Sequence, residues 1–269
     1  MKKFEILFVR HALSCANVWQ KKGMLKAHLR YHDPEITTEG IRKSIEVGQR
    51  ILYPFKTPQQ EPFAIGASVM LRAQQTAYLM FAKRMNKPIF VLPYIGEIYP
   101  TLDNLPASPE TQEQRYQANK TYTEEPSLKS LLVGQGKNFR RENGKWSLSV
   151  SSFPRFLRWI AEEKNANTYF KQGSDGIYRA ILVTHSGFMK EHFPMKGVEK
   201  YDNNDGVLVR IQVGQEKPIV EPFEYIPAGE SNVNLNICPD NACRYPPPCK
   251  TRGGKRRLRR RRNTTRRQR

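Results

Sequence analysis

The sequence has no long apolar run and little cysteine. No stretch of its 269 residues approaches the roughly 18 to 20 apolar residues of a membrane-spanning helix. The apolar stretch after Lys2 and Lys3 is interrupted by Glu5 and ended by Arg10, so it is too short for the core of a signal peptide. Four cysteines are too few for a secreted disulfide scaffold of this length. We therefore expect a soluble protein of the cytoplasm, with the nucleus as an alternative compartment.

Acidic residues are in the minority, because 25 Asp and Glu stand against 45 Lys and Arg, for a formal net charge of +20. Residues 250–269 alone hold two Lys and ten Arg and no acid. A segment with so little apolar content cannot offset its ordering entropy by burial, so this tail is predicted to be disordered. Its arginine density fits nonspecific binding to nucleic acid, a nuclear-localisation signal or an acidic membrane surface, and these alternatives stay open.

The chain length favours one sizeable α/β domain over two large ones. We place this domain at residues 1–235 and a Cys/Pro linker with the Arg-rich tail at residues 236–269. Cys238, Cys243 and Cys249 lie in that linker, but they lack Cys-x-x-Cys spacing and a fourth nearby ligand, so a zinc site is disfavoured.

Residues 100–152 form a long polar stretch rich in Pro, Gly, Gln and Asn. Long segments of this kind inside compact domains are commonly lids or binding loops, so we predict an insertion over the active site. Side chains on it that can hold substrate groups, or simply be solvated surface, are Arg115, Tyr116, Lys120, Arg140 and Arg141.

Chemically useful residues follow several apolar runs that are typical of buried strands. The run Glu5–Val9 is followed by Arg10 and His11. In open α/β sheets, ligands bind beyond the carboxyl ends of the strands, so these two side chains are expected at a binding site. The other runs and the residues after them are Phe63–Ala67 with Arg72, Ala180–Thr184 with His185, and Ile89–Leu92 with Glu97.

Helical periodicity and caps predict the scaffold around these strands. Ser14 is expected to cap a short helix, and Thr37 a longer one that points Ile41, Ile45, Gly48 and Ile51 inward and ends near Pro54. Two further helices and one hairpin are predicted, at Leu71–Met85, at Phe153–Glu163, and at Gly206–Val213 with Ile219–Phe223.

At these residues the chain resembles the histidine phosphatase superfamily, also called the phosphoglycerate mutase-like family. Arg10-His11-Ala12 is similar to its Arg-His-Gly signature, although Ala12 stands where the family usually has Gly. Asp33 to Thr37 with Gly40 is similar to the family's Asp-x-x-Leu-Thr-x-x-Gly segment, and Ser68 to Ala77 is similar to its Ser-x-x-x-Arg-Ala-x-Gln-Thr-Ala helix. His185-Ser186-Gly187 matches the second histidine.

The resemblance implies a doubly wound, mostly parallel sheet with helices on both faces. It also implies that His11 is the nucleophile that forms a phosphohistidine, while Arg10, Arg72 and His185 neutralise charge on the phosphoryl oxygens. Glu97 is our candidate general acid, which requires a raised pKa. Candidate substrate-binding residues are Ser14, Asn17 and Ser186, whereas Cys15 is interpreted as a packing residue.

The predicted function is a phosphatase that hydrolyses a phosphorylated small molecule or phosphopeptide. No carboxylate cluster suited to Mg²⁺ accompanies the motifs, so the sequence predicts no metal and no cofactor. Two alternatives remain: a phosphoglycerate mutase-type phosphotransferase, and a weakly active scaffold that binds nucleic acid through its tail. The presence of every catalytic residue type disfavours the scaffold, and the lack of a recognisable mutase substrate segment in residues 100–150 disfavours the mutase.

Overall fold

The core of the molecule is an eight-stranded, mostly parallel β-sheet, described by a computed structural model over residues 1–21, 32–51, 63–98, 101–118, 132–133, 152–214 and 217–229. The strand order is β4-β3-β2-β6-β1-β7-β8, and β5 pairs with β6. Strands β1, β2, β3, β4 and β6 are mutually parallel, whereas β5, β7 and β8 join antiparallel. The strands are β1 Lys2–Arg10, β2 Ala64–Ser68, β3 Ile89–Leu92, β4 Leu132–Val133, β5 Lys171–Gln172, β6 Ile177–Thr184, β7 Gly206–Val213 and β8 Ile219–Ile226.

Helices connect the strands of this sheet. A π-helical turn, Tyr78–Ala82, separates α3 from α4, so the predicted helix Leu71–Met85 is present with one wider turn inside it. Short 3₁₀ turns cover Pro93–Ile95 and Leu102–Asn104. The α-helices of the described residues are α1 Cys15–Lys21, α2 Thr38–Ile51, α3 Leu71–Ala77, α4 Lys83–Met85, α5 Pro109–Ala118, α6 Phe153–Ala161, α7 Glu163–Tyr169 and α8 Ser186–His192.

Helices cover both faces of the sheet, as neighbouring residues of β1 show. Successive side chains of a strand point to opposite faces. On one face, the ring of Phe8 lies 6.2 Å from that of Phe156 in α6 and 4.5 Å from that of Phe193, just after α8. On the other face, Leu7 and Ile51 of α2 both lie near Gly206, where an added Cβ would be 3.0 and 3.2 Å from their Cδ1 atoms. The predicted doubly wound α/β fold is confirmed.

The structure corrects the predicted inward face of α2. Ile45 is 44% exposed, whereas Ile41 and Ile51 are buried as expected. The contact line of the helix passes instead through Ser44, which is fully buried and donates to Gly40 O at 2.7 Å. Gly48 completes this line, because a Cβ there would collide with the backbone of the π-helical turn. Ile45 lies beside these contact residues on the helix surface, and it is therefore exposed.

Only part of the predicted insertion at 100–152 lies among the described residues, and it includes α5. Tyr116 is fully buried in the core, with its ring centroid 6.4 Å from that of Tyr78, so both alternatives for this side chain, substrate contact and solvated surface, are wrong. Arg115 donates to the carbonyl oxygens of His32 and Asp33, at 2.6 and 3.0 Å. The remaining candidates there, Lys120, Arg140 and Arg141, lie outside the described residues, as do Pro54, the Cys/Pro linker and the Arg-rich tail.

Candidate active site

The parallel strands bring the sequence motifs to one edge of the sheet. Arg10 at the end of β1 is paired in register with Thr184 at the end of β6, and Ala67 of β2 is paired with Val183. Side chains that follow these strands therefore converge where ligands of doubly wound folds bind. The backbone N–H of His11 extends this register by donating to Thr184 O at 2.9 Å.

The hydrogen bonds of His11 define its tautomer. Arg72 has no acceptor atom, so its Nε donates to Nε2 of His11 at 3.1 Å. The proton of the neutral ring is therefore on Nδ1, which donates to Ala12 O at 2.7 Å. Burial lowers the pKa of His11 well below its ordinary value, and the charges of Arg72 and Arg10 lower it further. The imidazole is neutral near pH 7, with the Nε2 lone pair directed toward Arg72.

His185 contacts Arg72, but it is not among the residues that line the cavity at this site. It is fully buried, its Nε2 lies 2.7 Å from Ser68 Oγ, and its Nδ1 lies 3.3 Å from Arg72 Nη2. Burial, Arg72 and Arg10 lower its pKa well below the ordinary value. The ring is centred 5.1 Å from that of His11, so the two histidines share one guanidinium between them.

The two arginines bring buried positive charge to this edge. Arg72 is 3% exposed, and its Nη1 and Nη2 donate to Asp103 O at 2.6 Å and Asn104 Oδ1 at 2.7 Å. Arg10 is 7% exposed, and its Nη1 donates to Tyr201 O at 2.6 Å. The buried Nε of Arg10 has no hydrogen-bond partner among the described residues. Burial lowers the pKa of both groups, but guanidinium stays charged in proteins, so the site favours an anion.

A cavity of about 350 Å³ lies against the arginines, and seven of the eight predicted site residues line it. His185 is the exception. The cavity is lined by Arg10, His11, Ser14, Asn17, Gln20, Arg72, Glu97, Thr101, Asp103, Asn104, Ser186 and Lys200.

Glu97 enters this cavity from the segment after β3. Its Oε1 accepts a hydrogen bond from Ile98 N at 3.0 Å. A Cβ at Gly187, near the start of α8, would collide with the same oxygen, so only glycine leaves room for this carboxylate. The charge of Glu97 also favours the charged forms of Arg10 and Arg72. The structure therefore has a carboxylate near two cations and His11.

The predicted substrate-binding residues use some of their polar atoms on each other. Ser14 Oγ accepts from Asn17 N, and Asn17 Oδ1 accepts from Ser14 N, both at 3.3 Å. This reciprocal cap begins α1, as the sequence predicts. Ser186 Oγ donates to Tyr201 O at 3.2 Å. All three residues face the cavity, so their remaining hydrogen-bonding capacity is directed there.

The residues that accompany Arg72 in its motif fix the loops around His11. Ala12 N donates to Thr76 Oγ1 at 2.9 Å, and Ile36 N donates to Gln75 Oε1 at 3.0 Å. Asp33 is fully buried and accepts from the backbone N–H groups of Leu71 and Ala107, and burial raises its pKa. Ala12 has no positive φ, so its methyl group causes no backbone strain.

Sequence analysis missed several residues of the site. Asn203 donates from Nδ2 to His11 O at 2.9 Å and so fixes the backbone of the histidine. The polar run Asp202 to Asp205 that contains it is visible in the sequence, but its distance from every motif gives no sign of this contact. The missed cavity residues are Gln20, Thr101, Asp103, Asn104 and Lys200.

The described residues show neither a metal-binding cluster nor a membrane-spanning helix. They contain no group of three or more His, Cys, Asp or Glu side chains placed to hold a metal ion. Within the same ranges, no helix has the length and apolarity to cross a membrane.

Neither a protein-family model nor a curated protein matches the sequence. The chain is similar in structure to the protein named mycobacterial hydrolase 2, at 11% identity over 87% of this chain and 95% of that one, with a TM-score of 0.47. It is also similar to a putative alpha-ribazole-5′-P phosphatase from Escherichia coli, at 13% identity over 85% and 99% of the two chains (TM-score 0.42). A phosphoglycerate mutase from Bacillus anthracis matches at 13% identity over 82% and 93% (TM-score 0.42).

Proposed function

We propose that this protein is a phosphatase of the histidine phosphatase type, which hydrolyses a phosphate monoester through a phosphohistidine on His11. The observation that carries the proposal is the neutral tautomer of His11, whose unprotonated Nε2 accepts from Arg72 beside a cavity lined by two buried arginines. A nucleophile and fixed positive charge are the two features that phosphoryl transfer needs from a protein. The unpartnered Nε of Arg10 fits a phosphoryl oxygen as its acceptor.

The first half-reaction forms the phosphoenzyme. Arg72 Nε exchanges its hydrogen bond with His11 Nε2 for one to a phosphoryl oxygen, and the freed Nε2 lone pair attacks phosphorus. The bond to the leaving oxygen breaks as the N–P bond forms, and Glu97 gives its proton to that oxygen. Arg10 and Arg72 bind the equatorial oxygens, where negative charge is spread in the transition state. In the second half-reaction Glu97 takes a proton from water, and the resulting nucleophile displaces His11 from phosphorus. Inorganic phosphate and the alcohol are the products.

In this proposal, His185 also stabilises the negative charge on the phosphoryl oxygens. Its Nδ1 now faces Arg72 Nη2 at 3.3 Å, and it needs a proton there to donate to a phosphoryl oxygen. A bound dianion favours that proton electrostatically, because it offsets the arginine charges that lower the pKa of His185. Ser68, at 2.7 Å from Nε2, keeps the ring oriented. No step of the scheme requires a metal ion.

The experiment for this proposal is to trap the phosphoenzyme. Wild-type protein quenched during turnover of a ³²P-labelled monoester is expected to carry acid-labile, alkali-stable label, as a phosphoramidate does, and His11→Ala neither label nor turnover. His32→Ala is the matched control, because that side chain is exposed and does not line the cavity. Unchanged turnover in His11→Ala, or activity lost to EDTA and restored by Mg²⁺, contradicts the mechanism. A panel of phosphorylated metabolites identifies the substrate and, through its products, separates hydrolysis from mutase-type transfer.

A further inference from the structure

Asp103 is a buried carboxylate on the cavity wall that the proposed reaction does not use. It is 5% exposed, and it lines the cavity together with His11 and Arg72. Its Oδ1 is buried and has no hydrogen-bond partner among the described residues. Within the described ranges, its Oδ2 accepts from Gln20 Nε2 alone, at 3.4 Å, which is near the upper limit for a hydrogen bond. An ionised carboxylate has about four acceptor sites, so most of this capacity is unused.

The backbone that carries Asp103 is fixed relative to His11. Arg72 Nη1 donates to the Asp103 carbonyl oxygen at 2.6 Å, while Nε of the same guanidinium donates to His11. Asn104 closes the turn, because it accepts from Arg72 Nη2 at 2.7 Å and donates from Nδ2 to Thr101 Oγ1 at 2.8 Å. The Asp103 side chain therefore has a defined position beside the phosphoryl site.

The charges around Asp103 indicate what it binds. Leaving a buried acceptor unpaired is costly, so such a group in a native structure calls for an explanation. The guanidinium of Arg72 attracts the Asp103 carboxylate electrostatically, but its hydrogen bond goes to the carbonyl oxygen, so Oδ1 is left without a donor among the described residues. A second phosphate or carboxylate on the substrate would be repelled at this position. The group that fits there is a hydrogen-bond donor, and an ionised acceptor strengthens that bond.

We propose that Asp103 accepts a hydrogen bond from a hydroxyl or ammonium group on the leaving alcohol, so that the substrates are phosphate monoesters of polyols or amino alcohols. The inference rests on the proposed function, because it takes the cavity between Arg10 and Arg72 as the phosphoryl site. Asp103 is a substrate-binding residue in this proposal, and it takes no part in proton transfer to the leaving oxygen.

Binding of three nearly isosteric phosphonates tests this without turnover. Calorimetry on the full chain compares 3-aminopropylphosphonate, 3-hydroxypropylphosphonate and butylphosphonate, which differ only in the terminal group. Wild-type protein is expected to bind the two donors about tenfold or more tightly than the butyl compound, as a hydrogen bond to a charged group predicts. In Asp103→Ala the three affinities should agree within about twofold. Asp103→Asn should keep part of the preference for hydroxyl, since its amide oxygen still accepts, and lose the preference for ammonium.

The controls separate this inference from the proposed function. Glu110→Ala removes an exposed carboxylate on α5, and it should keep the wild-type preferences. Phosphoenzyme formation from an aryl phosphate by the wild-type protein tests the proposed reaction separately, because an aryl phosphate carries no donor for Asp103. Equal affinities in wild type, or a donor preference that survives Asp103→Ala, overturns the assignment of Asp103. Phosphonates that bind with the expected preference to a protein that never forms phosphohistidine refute the proposed reaction and leave the recognition intact.

Discussion

Arg72 Nε donates a hydrogen bond to His11 Nε2 at 3.1 Å, so one guanidinium directs the lone pair that the proposed reaction uses. The same group contacts Asp103 O and Asn104 Oδ1, at 2.6 and 2.7 Å, and lies 3.3 Å from His185 Nδ1. It therefore joins His11 to the segment after β3 and to the end of β6. In the proposed reaction, a phosphoryl group on His11 would meet donors whose positions are already fixed, which is the arrangement that electrostatic catalysis requires.

Replacing Arg72 should therefore lower kcat/KM far more than replacing an arginine on the surface. We expect Arg72→Ala to lower kcat/KM by about three orders of magnitude, close to 4 kcal/mol, as for other groups that stabilise transition-state charge. Arg72→Lys should restore little, because one ammonium cannot reproduce the contacts of a planar guanidinium. Arg84→Ala, at an exposed position on α4, is the control. Steady-state kinetics in which Arg72→Lys equals wild type would argue against this role.

Glu97 can be tested through the leaving group. If it protonates the departing oxygen, Glu97→Gln should slow hydrolysis of alkyl phosphates by about 10² to 10⁴, and that of aryl phosphates much less, because a phenolate leaves with little help. Glu163→Gln removes an exposed carboxylate as the control. Parallel losses on p-nitrophenyl phosphate and an alkyl phosphate would remove Glu97 from the acid role. Glu110 and Glu113, on α5, would then be tested in its place.

The sequence predicts well the parts of the fold and site that depend on local pattern. The run Ile89–Leu92 is β3, and the caps at Ser14 and Thr37 precede α1 and α2. The cavity residues that the sequence predicted lie at or shortly after the end of a strand, or near the start of a helix. Residues whose role depends on contacts between distant segments could not be predicted. Asn203 contacts His11 although the two residues are 192 positions apart in the sequence, and no local sequence pattern predicts such a contact.

Ser68 illustrates a role that the motif marks and only the structure explains. Its Oγ lies 2.7 Å from Nε2 of His185, and both residues are fully buried. We expect Ser68→Ala to lower kcat more than it raises KM, because His185 loses its orientation while Arg10 and Arg72 still bind phosphate. Ser68→Thr should recover part of the loss. The ¹⁵N chemical shifts of His185 report its tautomer, and a shift pattern that Ser68→Ala leaves unchanged would contradict this role.

The two buried histidines predict that acid destabilises the protein. The pKa values of His11 and His185 are lowered well below 6.5 by burial and by Arg72. The unfolded chain therefore binds more protons than the native one below pH 6.5, and the free energy of unfolding falls as pH is lowered. Between pH 7 and 5.5, each histidine should lower the free energy of unfolding by on the order of 1 kcal/mol. Urea unfolding at the two pH values measures this, and His185→Gln should reduce the difference. The same difference in wild type and His185→Gln would show that His185 titrates normally.

The Arg-rich tail gives a prediction that is independent of the cavity. Residues 250–269 hold twelve basic side chains and no acid, and they lie outside the described residues. Binding of such a segment to nucleic acid is favourable because it releases condensed counterions. This binding has no base specificity, and it weakens steeply as the salt concentration is raised. Deleting residues 250–269 is thus expected to leave hydrolysis of small phosphate esters nearly unchanged and to abolish most DNA and RNA binding at low salt. Fluorescence anisotropy over a salt series measures the slope for both proteins. A truncated protein that keeps the full-length slope would place the binding surface on the folded domain, because the slope counts the phosphates that the protein neutralises.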